Sequence, residues 1–208
     1  MKKEKDYIGD IAEIRSMMER SSKFLSLSGW AGVMAGIYAL VAAYLSYAVF
    51  NFNPDEITSP IGAPASGSML PPQLVSLAIG TLLLAIGTAV FLSQRKSSKR
   101  GEKLWNATSR RMIVAMATPL VTGGLLILIL LSNGLVGLAA PFSLIFYGLA
   151  LFGAGSFTYG AVKFLGVMEV LLGVIGTCFV SYGLLCWAIG FGVLHIVYGI
   201  YIHYRYER

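Results

Sequence analysis

Two octapeptides, GVMEVLLG (166–173) and GVLHIVYG (192–199), each hold one ionisable residue between glycines seven apart: Glu169 in the first, His195 in the second. A carboxyl and an imidazole together make a proton-handling pair, because the ring offers one accepting and one donating nitrogen and the carboxyl can hold or release a proton. A third stretch, GAGSFTYG (153–160), sets Ser156 at the same place. Residues three and four apart lie on one face of a helix, so the template aims Ser156, Glu169 and His195 along a glycine seam towards neighbouring helices. At 1.5 Å per residue, Glu169 stands about 9 Å from Lys163 and His195 about 15 Å from Arg205, with Ser156 at a similar level. The pattern FG-x5-YG recurs at 152–160 and 191–199 and puts Tyr159 and Tyr198 one turn nearer the basic end.

The chemistry these types would support is binding of a small ligand or relay of a proton. Glu169 is then the acceptor, His195 the titrating partner, Ser156 a hydrogen-bond donor, and Tyr159 and Tyr198 the rim. A blander use of the same pair is a hydrogen bond that fixes the register of two helices. Other chemistries lack their residues. A zinc site needs roughly three or four ligands, mostly His and Cys, and no such set converges here. His195 and His203 sit on one helix, which rules against a two-histidine haem site. Dinucleotide, P-loop and zinc-protease signatures are absent. No catalytic residue, metal or cofactor is therefore expected.

The elements that must position these groups follow from composition. Of 208 residues, 56% are hydrophobic and 12% charged, with a mean hydropathy of +0.73. Soluble domains carry about twice that charge. A helix needs roughly 20 apolar residues to cross a bilayer, and six stretches qualify: 27–50, 73–92, 112–131, 140–158, 163–180 and 183–204. The expected fold is all-α, a polytopic membrane bundle of six transmembrane helices. The last two stretches are nearly continuous, and Ser181-Tyr182-Gly183 is the natural turn between them.

Charge supports the topology independently. All 16 Lys and Arg fall in residues 1–26, in the 93–111 loop, at Lys163 or in the 205–208 tail. Six spans place these segments on one side, and the other side has only Asp55 and Glu56. The positive-inside rule then puts both termini in the cytoplasm and the protein in the inner membrane. The +6 net charge suits orientation and contact with anionic lipid rather than nucleic acid. Residues 1–26 are expected to form a cytoplasmic amphipathic helix, since Tyr7, Ile11, Ile14 and Met18 follow helical spacing. With the basic loop, that helix gives a competing function: a non-catalytic regulator or scaffold that holds a cytoplasmic protein at the membrane. The 51–72 loop, with five of the 7 prolines, is an irregular cap. Cys178 and Cys186 flank the turn between spans five and six, and free thiols are the expected state.

Glycines seven apart (29/36, 80/87, 148/155, 153/160, 166/173, 183/190 and 192/199) touch every span except the third, which instead has Pro119 and Gly123-Gly124. Such pairs let neighbouring backbones approach closely. A tight bundle is expected.

Two resemblances add to this. A serine on the fourth span and a histidine on the sixth resemble the rhomboid intramembrane proteases, which would make Ser156 and His195 nucleophile and base. GAGSF departs from their G-x-S-G motif, and the histidine they carry on the second span is missing, so the resemblance stops at topology. Over most of the chain, IRSMMERSSKFLSLSG (14–29), ATPLVTGG (117–124), FYGLAL (146–151) and GFGVLHIVYG (190–199) resemble a family of uncharacterised bacterial six-span membrane proteins. That resemblance implies a shared fold and no mechanism.

Overall fold

The computed structural model describes Ile11 and residues 28–52, 71–99, 101 and 105–207. The amphipathic segment expected within 1–26 (Ile11 apart), most of the proline-rich loop, and Arg208 lie outside the described residues.

Among the described residues six helices are long and apolar enough to span a membrane, the fourth counted with the 3-10 turn before it as Val136–Ala154. They are α1 (Gly29–Ala48), α2 (Pro72–Lys99), α3 (Ala107–Ser132), α4 (Ala139–Ala154), α5 (Gly160–Cys178) and α6 (Val180–Glu207). No strand occurs among the described residues. The starts and stops have local causes. Pro72 opens α2 at the first helical position, where its missing N–H is not needed. Asn106 caps α3: its side chain accepts from the Ser109 N–H at 2.8 Å, and its own N–H donates to Ser109 Oγ at 2.9 Å. Gly134, at φ +76, takes the left-handed turn after α3 that a larger residue would resist. A single 3-10 turn, Val136–Leu138, then leads into α4.

Three boundaries differ from the apolar windows. α2 runs to Lys99 and α3 begins at Ala107, because Arg95, Lys96, Lys99, Arg110 and Arg111 continue these helices, their apolar stems bridging from greasy to polar surroundings. α4 instead ends at Ala154 and not at 158. Gly153 and Gly155 favour the helix poorly there, and the chain must reverse within five residues to begin α5 at Gly160.

α6 is not a regular helix. A 3-10 turn (Val180–Tyr182) and one α turn (Gly183–Trp187) lead into a π-helical segment, Ala188–Leu194. Regular α-helix resumes over His195–Ile202, and a second π segment covers His203–Glu207. Widened turns of this kind are rare and concentrate at functional sites.

α4 and α5 pack most extensively on each other, α3 covers α4, α6 bridges α5 and α1, and α2 packs on α1. Glycine makes the two main seams. A Cβ on Gly148 would stand 2.6 Å from the Gly166 carbonyl oxygen, and one on Gly166 the same distance from the Gly148 oxygen, so α4 and α5 touch backbone to backbone. Between α1 and α6, Gly36 meets the Gly192 carbonyl and Gly199 meets the Val33 N–H, each at 2.6 Å from the Cβ position. The expectation of a tight seam fails at Gly80, Gly87 and Gly160, which face open space, as does Gly124. α2 is little covered along its length: its most apolar stretch has 0% of its residues buried among the described residues, and its basic end reaches α6 through Lys96 and Glu207. The main apolar core gathers Met112, Leu151, Ala154, Val162, Leu165 and Ile202, from α3, α4, α5 and α6.

Candidate functional site

The α4–α5 seam brings Glu169 inward, and the π segment of α6 brings Gly190 and His195 to it. Glu169 is fully buried at 0% exposure, and His195 is 5% exposed. Gly190 has no side chain because there is no room for one: its Cβ position is filled by Glu169 Oε2 and by Leu144 Cδ2 at 2.5 Å. The carboxyl therefore rests directly on the π-helical backbone.

The imidazole is held at both nitrogens. Nδ1 lies 3.0 Å from the Gly190 carbonyl, and Nε2 lies 3.0 Å from the Tyr147 hydroxyl on α4. A carbonyl only accepts, so in the neutral ring the proton is on Nδ1, which donates to Gly190, and Tyr147 donates its O–H to Nε2. Nδ1 is also 3.2 Å from Glu169 Oε1. Distance alone suggests an ion pair, yet among the described residues both Glu169 oxygens lack a hydrogen-bond partner. The two facts are compatible because one N–H points one way, and its direction satisfies the carbonyl. The geometry of the hydrogen bond outweighs the bare distance.

Aromatic rings fix the imidazole plane. Phe191 stacks on His195 at 5.7 Å and 19°, Tyr147 lies 4.9 Å from Phe191, and Trp187 lies 5.1 Å from Phe191. Trp187, Phe191 and His195 recur every four residues along α6 and close one side of the site.

A second polar cluster forms where α1, α2 and α6 meet at the basic end. Glu207 Oε1 accepts from the Gly29 N–H and from Lys96 Nζ, both at 2.8 Å, while Oε2 lies 2.9 Å from His203 Nδ1. Placed at the N-terminus of α1, this carboxylate also meets the positive end of the helix dipole. Trp30 covers His203 at 5.3 Å.

The residues singled out from the sequence divide between these places. Glu169 and His195 come together. Tyr159, 5% exposed, precedes α5 and lies 4.4 Å from the Tyr206 ring, with Lys96 Nζ 5.7 Å from its centroid. Tyr198 is half-buried against the main core. Ser156 is not brought in: with α4 ended at Ala154 it falls in the exposed turn before α5, away from the inward face expected of it. The nucleophile–base pairing of Ser156 with His195 therefore has no geometric basis.

Tyr147 and Gly190 were missed. A signal existed for the first, since Tyr-Gly occurs at 147, 159, 182 and 198, and the pattern that assigns Tyr159 and Tyr198 to the rim does not extend to Tyr147. Nothing in the residue types marks the π segment. Cys178 is exposed, Cys186 is buried, and both are free thiols. No group of three or more potential metal ligands occurs among the described residues.

No protein-family model matches this chain, and no curated protein or solved structure is detectably similar to it.

Proposed function

We propose that this chain is a multi-pass membrane protein that takes up a proton, or a small hydrogen-bond-donating ligand, at Glu169 between α4, α5 and α6. The observation that carries the reading is the pair of Glu169 oxygens, wholly buried and without a donor while the neighbouring imidazole spends its N–H on a backbone carbonyl. A carboxyl kept only to lock two helices would be hydrogen-bonded, as buried polar groups nearly always are. An ionisable group held unpaired at this depth is expensive, and such groups mark proton or ion pathways. His195 of α6 stands beside it, Nδ1 3.2 Å from Oε1, and Tyr147 of α4 holds the other ring nitrogen at 3.0 Å. Tyr198 and Tyr159 lead from there towards the basic end.

The distribution of Lys and Arg supports a cytoplasmic location for that end and for both termini, in a bacterial inner membrane whose anionic lipids would meet the basic loop. The test is infrared difference spectroscopy of the purified protein between acidic and neutral pH. A carboxyl carbonyl band should change with pH in the wild type and be missing from Glu169→Gln. A spectrum that ignores pH, or one that the variant reproduces, overturns the reading.

A further inference from the structure

Between the buried site and the cluster at Glu207 lies a file of hydroxyl and ionisable groups on one side of α6. His195 and Tyr198 are three residues apart and so share a face of the regular helix His195–Ile202. Tyr147 and Tyr198 both pack on the core cluster that contains Tyr159. The Tyr159 and Tyr206 rings meet in a tilted contact at 4.4 Å, and Glu207 joins His203 and Lys96. Twelve residues separate His195 from Glu207, about 18 Å along the helix.

The opposite direction differs in kind: the Ser143 and Thr177 hydroxyls donate to carbonyls of their own helices, and Tyr182 and Cys178 are exposed. Beyond Glu169, towards the α5–α6 turn, the described parts of α4, α5 and α6 contain no carboxyl, imidazole or basic side chain. Trp187 and Phe191 meet there in a tilted contact at 5.1 Å, and Pro141 packs at 3.3 Å on the Cβ positions of Gly176 and Gly183.

We propose that Glu169 exchanges its proton with one face of the membrane only, along a relay of Tyr147, Tyr198, Tyr159 and Tyr206 that ends at the Glu207–His203–Lys96 cluster. This rests on the reading of Glu169 as a proton site. Each step conserves protons. A proton reaching the Tyr147 oxygen from the Tyr198 side lets Tyr147 pass its own O–H proton to His195 Nε2. The imidazolium then turns its Nδ1 proton from the Gly190 carbonyl to Glu169 Oε1, 3.2 Å away. What remains is a protonated carboxyl, a neutral ring protonated at Nε2, and an intact Tyr147 hydroxyl; release runs the same sequence backwards. Water carries the proton between hydroxyls that are not in direct contact. Glu207 is the terminal acceptor, and its three donors hold it at the mouth.

The experiment is the rate at which the Glu169 carbonyl band shifts when protein reconstituted in lipid is moved from H2O to D2O. Tyr147→Phe, Tyr198→Phe and Glu207→Gln should each keep the band and slow its shift about tenfold or more, the loss typical of a removed proton-transfer group. Tyr201→Phe, on the exposed side of α6, should leave the rate unchanged. A band whose rate is the same in all four variants overturns the relay and leaves the proton site standing. Equal slowing in Tyr201→Phe also overturns it, since the effect would then not follow the file. Absence of any band assignable to Glu169 overturns both.

Discussion

At the scale of single residues, the site depends on Gly190 having no side chain. Gly190→Ala forces a methyl group onto Glu169 Oε2 and Leu144. Overpacking of this kind costs about 1–3 kcal/mol, so a clear fall in melting temperature in detergent is expected. If the variant melts with the wild type, the carboxyl does not sit on that backbone. Tyr147→Phe removes the one donor to His195 Nε2. Leaving that nitrogen unsatisfied should cost about 1–3 kcal/mol. Double-mutant cycles separate the contacts: the coupling between Tyr147→Phe and His195→Ala should exceed that between Glu169→Gln and His195→Ala. The reverse order would mean that the Nδ1 proton points to the carboxyl. Glu169 and His195 were legible in the sequence because two ionisable groups in runs of apolar residues have to face inward. Their hydrogen bonds were not, because those depend on the direction of one N–H, which a change of helical pitch decides.

At the scale of elements, the π segment Ala188–Leu194 sets the angle between the two halves of α6. Gly183 and Cys186 pack towards α4 and α5, whereas Gly192 and Gly199 seat against α1. Adding one residue to the widened turn, for instance an Ala after Ile189, would rotate one half by about 100° against the other. Both seams cannot then be satisfied. A loss of about 3 kcal/mol or more is expected, together with loss of the His195–Tyr147 contact. Val193→Ala, at an exposed position of the same segment, should stay within about 0.5 kcal/mol of wild type. Thermal melts of the two variants check the contrast. Periodicity and hydropathy anticipated six helices well, since length and apolarity are what a bilayer demands. They failed at Ser156, where a glycine template that held in α5 and α6 ran past the end of α4. A template of small residues records which backbones can approach, not where a helix stops.

At the scale of the whole molecule, α2 is the least embedded helix. It packs on α1 and is tied at its basic end by Lys96 to Glu207. Glu207→Ala strips partners from Lys96, His203 and the Gly29 N–H at once. It should cost about 1–3 kcal/mol and widen the distance between spin labels on α2 and α6. An unchanged distance would mean that α1 alone holds α2. Glycine seams were expected on α2, yet Gly80 and Gly87 meet no helix; the sequence shows which surfaces permit close approach but not whether a neighbour arrives. The seams that do form join α1 to α6 and α4 to α5, while α2 and α3, though consecutive, cover different partners. Covalent continuity across residues 100–106 thus contributes little to holding the bundle together. Two separately translated pieces, one ending after α2 and the other beginning before α3, should find each other in the membrane through the Gly29, Gly36, Gly192 and Gly199 contact, and co-purify as a complex that Gly36→Leu abolishes.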